Sequence, residues 1–136
     1  MKYLILFSQQ HESFWLPELD TLLEVNGVDP AACYDHDAAW AVVSRGHKTS
    51  PFLVVEVQSE DVIAAVAKRS ILIRRVLELW GEGPTAEAAA EAVKNFPEET
   101  KQPYYAEDVT WSVTVKTKPP VKRRPHISAQ YLLGLL

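Results

Sequence analysis

Tyr3-Leu4-Ile5-Leu6-Phe7 is an unbroken apolar run near the start of the chain, and it limits the possible folds more than any other feature. A strand with one wet face alternates apolar and polar side chains. A continuous run places hydrophobic groups on both faces, so residues 2–8 are expected to form a central strand buried on both sides. Such a strand needs neighbours. Two further segments have the composition to pair with it: residues 52–57 (Phe52-Leu53-Val54-Val55-Glu56-Val57) and residues 71–80, both rich in β-branched and aliphatic residues. A hydrophobic content of 47% is enough for a packed core.

Between these strands lie helix-period segments. Leu16, Leu19, Leu22 and Leu23 recur at helical spacing over residues 16–26, with Glu18, Asp20 and Glu24 on the other side. Pro17 suits the first turn, and Gly27 can supply a left-handed C-terminus. Residues 60–69 form a second helix, with Ser59 as N-cap, Glu60 and Asp61 at its positive end, and Lys68 and Arg69 at its negative end. Residues 28–50 are read as turns, a short strand or insertion at 39–43, and a loop around Arg45-Gly46-His47. The resulting order is the βαββαβ arrangement of an α+β, ferredoxin-like sandwich, with its second strand at 39–43. Gly81-Glu82-Gly83 is expected to end the third long strand. An extra helix at 86–95, capped by Thr85, and an alternating strand at 109–117 then follow. The last stretch, with Lys118-Pro119-Pro120 and Lys122-Arg123-Arg124-Pro125, reads as a basic, proline-rich tail without fixed structure. The expected organisation is thus a ferredoxin-like domain at 1–83, a helix and strand at 84–117, and a disordered tail at 118–136.

Charge is uneven. All 18 acidic residues lie at or before Asp108, while five of the 14 basic residues lie after Val115, so the chain up to Val115 carries −9 and the remainder +5. An acidic body is not the electrostatic footprint of a typical nucleic-acid binder. The one basic cluster within the body is Lys68, Arg69, Arg74 and Arg75. These residues can steer phosphate oxygens; equally, they can complement a helix C-terminus and solvate a strand face. Asp35-His36-Asp37, with His47 nearby, lacks the spacing of a metal motif and reads as a loop. His11-Glu12 reads as a polar strand end. Cys33 is a lone thiol with no basic neighbour, which argues for an inert, buried group. Trp80 and Trp111 could stack on bases but sit in apolar strand contexts, where core packing is the simpler role. No spaced set of catalytic residue types is present. The opening apolar run is too short for a secretory signal, and an intracellular location is expected.

Four segments in order resemble the start of the eukaryotic tRNA (guanine-10-N2) methyltransferase catalytic subunit. They are Lys2–Phe7 followed by His11 and Phe14; Leu16-Pro17-Glu18-Leu19-Asp20-Thr21-Leu22; Ser50-Pro51-Phe52-Leu53-Val54-Val55; and Lys68-Arg69-Ser70-Ile71-Leu72-Ile73, continuing through Leu77-Glu78-Leu79-Trp80-Gly81-Glu82-Gly83. The resemblance covers roughly residues 1–115, with 35–48 as an insertion. It implies an N-terminal ferredoxin-like domain leading into a THUMP domain that helps to hold tRNA. It further implies a separate catalytic domain that binds S-adenosylmethionine and works with a small zinc-binding activator subunit, and a cytoplasmic location. This chain has no Asp-Pro-Pro or Asn-Pro-Pro motif and no glycine-rich strand-to-helix turn of the kind that cradles a nucleotide-like cofactor. It is therefore expected to be the tRNA-positioning region alone, inactive as a methyltransferase, with Lys118 to Leu136 outside the family pattern. The rival expectation is a stand-alone ferredoxin-like module that recruits protein partners through a sheet edge.

Overall fold

The computed structural model describes residues 1–43, 50–110 and 131–134. These fall into two compact units, within Met1–Leu79 and within Trp80–Gly134. The first unit contains β1 (Lys2–Phe7), α1 (Trp15–Val25), α2 (His36–Val43), β2 (Phe52–Glu56), α3 (Glu60–Arg69) and most of β3 (Ile73–Gly83). β1 lies between β2 and β3 and is antiparallel to both, with Tyr3 opposite Val55 on one side and Glu78 on the other. β2 and β3 therefore run parallel to each other with β1 inserted between them, the split βαβ unit of the ferredoxin-like arrangement. The central position follows from the apolar run: Tyr3, Leu4, Ile5 and Phe7 are all buried, whichever face they occupy.

One face of β1 packs against the helices. Tyr3, Ile5 and Phe7 join Trp15, Leu16, Leu19 and Leu23 of α1, Ile63 and Val66 of α3, and Val55 of β2 in a single core. Phe7 and Trp15 stack nearly parallel, with ring centroids 4.9 Å apart. The helix ends follow their local chemistry. α1 closes with Val28 N–H on the Leu23 carbonyl and Gly27 N–H on that of Glu24, around a Gly27 φ of +77°. This is the paired 6→1 and 5→2 closure that a left-handed glycine permits. The Ser59 hydroxyl accepts from Asp61 N–H to start α3.

The segment expected to supply a second strand at 39–43 is instead helix α2. Asp35 is the reason: its carboxylate accepts from Ala38 N–H at 3.0 Å, and its carbonyl accepts from Ala39 N–H. A capped start followed by Ala38, Ala39 and Ala41 favours helix over the strand preference of Trp40, Val42 and Val43.

In the second unit β3 does not stop at Gly81-Glu82-Gly83 but runs through it. The glycines admit α4 (Ala86–Asn95) directly onto the strand. A Cβ on Gly81 would lie 2.8 Å from the Ala89 carbonyl oxygen and the Val93 nitrogen, and one on Gly83 would lie 2.8 Å from Ala88 Cβ. The Thr85 hydroxyl caps α4 by accepting from Ala88 N–H at 3.1 Å. At its other end the buried Lys101, on the short α5 (Glu98–Lys101), donates to the carbonyls of Val93 and Lys94 and pairs with Glu98. Trp80 is buried beside Phe96 and Tyr104, at centroid distances of 5.9 and 5.6 Å, so its role is packing. β4 (Tyr131–Gly134) is the neighbour of β3 in this unit. The strand expected at 109–117 lies outside the described residues from Trp111 onward; Val109 and Thr110 are not in a strand. Residues 118–130 and His47 also lie outside them.

Candidate nucleic-acid interface

The four basic residues singled out by sequence occupy the end of α3 and the start of β3, and all four are exposed. Lys68 and Arg69 form the last turn of α3. Arg74 and Arg75 owe their placement to an irregularity. Leu6 pairs with Arg75 while the next β1 residue, Phe7, pairs with Ile73, so β3 carries one extra residue at this point. In a regular strand Arg74 and Arg75 would point to opposite faces. The bulge lets Ile73 and Val76 both pack against the core while the two arginines between them both reach solvent. Among the described residues none of the four takes part in an ion pair.

The connection from α3 to β3 is held by a residue far away in sequence. The Glu18 carboxylate on α1 accepts from the Ser70 hydroxyl at 2.6 Å, from Ile71 N–H at 2.8 Å and from Leu72 N–H at 3.1 Å. Ser70 Oγ in turn accepts from Ile73 N–H. Opposite this connection runs the segment after β1, tied to it by Ser8 N–H on the Leu72 carbonyl at 2.7 Å. That segment is fixed by Trp15, whose indole N–H donates to the Gln10 carbonyl at 3.1 Å. His11 follows with a left-handed φ of 52° and opens a short 3-10 turn rather than ending the strand. An open cleft of about 570 Å³ lies between the two segments, lined by Ser8, Gln9, Gln10, Ile71, Ile73 and Arg74. Of the four basic candidates only Arg74 lines it. Sequence reasoning did not single out Glu18 or Trp15 for this role.

Glu18→Ala removes the shared acceptor of a hydroxyl and two amides, each a charge-assisted bond. The loss is expected to be about 2 kcal/mol, because the donors are only partly buried and water replaces some of the bonding. Denaturant unfolding measures the loss, and hydrogen exchange at Ile71 and Leu72 should accelerate with it. Unchanged exchange at those two amides would show that Glu18 does not hold the connection.

A second polar group of this unit joins Asp20, Tyr34 and His36. His36 Nε2 lies 2.8 Å from Asp20 Oδ2, and the Tyr34 hydroxyl donates to Asp20 Oδ1. Burial, the Asp20 hydrogen bond and the Asp20 charge push the Tyr34 phenol well above its usual range. Burial, followed by Asp29 and Asp20, raises the Cys33 thiol. Among the described residues no group of His, Cys, Asp or Glu is arranged to hold a metal ion.

By fold the chain is α+β and ferredoxin-like, with a basic cluster at the end of α3 and at the bulge of β3. Its sequence matches the family described as the Tmrp11 THUMP N-terminal domain over residues 1–123, and the chain belongs to that family. The match reaches into the first residues of the tail expected to fall outside the family. Among curated relatives, the chain is 30% identical over 116 residues to human tRNA (guanine(10)-N(2))-methyltransferase TRMT11, covering 85% of this chain and 23% of that protein. It is 28% identical over 116 residues to the chicken protein of the same name, with the same shares covered. It is 35% identical over 82 residues to the Dictyostelium discoideum protein of that name, covering 60% of this chain and 16% of that one. The chain thus spans less than a quarter of the length of these relatives. No solved structure matches.

Proposed function

We propose that this chain is the tRNA-recognition and positioning region of an S-adenosylmethionine-dependent tRNA guanine-N2 methyltransferase. The observation that supports it most is the family match over residues 1–123, whose relatives carry that activity in their names. The geometry adds a route to the RNA: Lys68 and Arg69 end α3 and Arg74 and Arg75 begin β3, on either side of a connection held by Glu18. Phosphate contacts of this kind fix register and orientation, and holding a substrate in place lowers a barrier without chemistry at the site.

Gly81 and Gly83 lie within β3, and α4 comes to within 2.7–2.8 Å of where their Cβ atoms would stand, which leaves no glycine cradle for S-adenosylmethionine there. In this reading the cofactor and the small zinc-binding activator subunit both bind parts of the full-length protein beyond residues 1–136, and the protein acts in the cytoplasm. A stand-alone protein-recruiting module is not favoured, because the relatives are tRNA methyltransferases.

Binding of the 136-residue chain to tRNA across a salt series tests this reading. Changing Arg74 and Arg75 together to Glu is expected to weaken binding and to lower the slope of log K against log salt by about two, one for each phosphate that the arginines neutralise. A companion chain with Lys122, Arg123 and Arg124 changed to Gln separates the contribution of the basic tail. If the tail change abolishes binding and the double arginine change leaves the slope intact, the interface is not on β3.

A further inference from the structure

The cleft beside Arg74 has features that a simple phosphate-steering patch does not need. Ile71 stands 87% exposed at its rim. Its backbone N–H is held by Glu18, which fixes the main chain from which the side chain projects. The facing wall carries two primary amides, Gln9 and Gln10, both exposed. Both walls are secured from the first turns of one helix: Trp15 holds Gln10, and Glu18 holds Ile71 and Leu72. The cleft is therefore formed before any ligand arrives, which reduces the ordering penalty of binding. Among the described residues Arg74 is the one charged residue lining it.

We propose that this cleft is a subsite for one unpaired nucleotide of an RNA strand, a reading that rests on the tRNA assignment above. It is an open cleft of about 570 Å³, with room for one base laid against its wall. The exposed Ile71 side chain supplies an apolar surface for a base face. The Gln9 and Gln10 amides each offer donors and an acceptor to a base edge. Arg74 presents a planar fork suited to bidentate contact with the adjoining phosphate. A duplex cannot use such a site, because its bases are stacked inward and only unpaired bases can be splayed onto a protein surface. Among the described residues no carboxylate lines the cleft. Glu18, the acid attached to this wall, turns its oxygens to a hydroxyl and two amides of the connection.

The test uses the intact 136-residue chain, a short single-stranded oligouridylate, and a blunt RNA hairpin of equal phosphate count, with total tRNA alongside. Ile71→Ser removes the apolar rim at an exposed position where the fold is indifferent. It is expected to weaken oligouridylate binding about fivefold, leaving the salt slope and the hairpin affinity unchanged. Arg74→Gln is expected to lower the salt slope for both probes by about one. If tRNA binds but Ile71→Ser affects neither probe, or affects hairpin and single strand alike, the subsite is overturned while the tRNA reading stands. If an acidic polypeptide displaces the oligouridylate and is itself sensitive to Ile71→Ser, the cleft is a peptide site and the proposal is overturned. If no RNA binds the wild-type chain at any salt, the tRNA reading has failed and the subsite goes with it.

Discussion

Trp15→Ala is expected to destabilise the first unit by about 3–5 kcal/mol, the range for removing a fully buried aromatic side chain. Trp15 is 1% exposed and lies flat against Phe7, so truncation empties a central position in the core. It also leaves the Gln10 carbonyl without the indole donor that fixes one cleft wall. Trp15→Phe separates the two losses. It restores most of the apolar area and the stacking partner but no donor, so it should recover more than half of the stability lost in the Ala variant. Urea unfolding gives both values. Binding of single-stranded RNA by the folded Phe variant then reports the wall alone: weakened binding at near-normal stability is the expected pattern. If Trp15→Phe is as destabilised as Trp15→Ala, the hydrogen bond dominates and the packing argument for Trp15 is wrong.

The parts of this fold that are legible in the sequence depend on local chemistry. The apolar run at Tyr3–Phe7 announces a central strand because no one-sided strand tolerates it. Ser59, Thr85 and Gly27 announce helix ends because capping and left-handed backbone are decided within a few residues. α2 is the exception, since its signal is local and still misleads. Asp35 stands three residues before Ala38, whose N–H it accepts, but the β-branched and aromatic character of Trp40, Val42 and Val43 points to a strand. Gly81 and Gly83 read as an ending because the reason for them lies in another element. The available hint is the run of small residues Ala88, Ala89 and Ala90 in the next helix.

The candidate site is legible only as a basic cluster. Its bulge is a matter of register between strands distant in sequence, though two consecutive arginines between core positions already violate strand alternation. Glu18 looks like the solvated side of a helix. In the structure it reaches residues 52 to 54 positions away, a pairing that no helical periodicity encodes.

Gly81→Val is expected to lower stability by about 3 kcal/mol, at the upper end of overpacking penalties, because the obstacle is backbone. A Cβ at this position meets Val93 Cγ2 at 2.7 Å, and also the Ala89 carbonyl oxygen and the Val93 nitrogen at 2.8 Å. A side chain can turn away, but two main-chain atoms of α4 can move only if the helix lifts from β3. Ala89, with no exposed surface, would then be uncovered. Gly27→Ala is a useful contrast, since nothing lies within 4 Å of its Cβ position and only the positive φ resists, at a cost of roughly 1–2 kcal/mol. Hydrogen exchange along α4 should therefore accelerate in Gly81→Val and stay unchanged in Gly27→Ala. Adding Val93→Ala to Gly81→Val removes the clash with Cγ2 and leaves those with the backbone, so partial rescue is expected. Full rescue would mean that one flexible side chain was the whole obstacle and that helix and strand are not pressed together at Gly81.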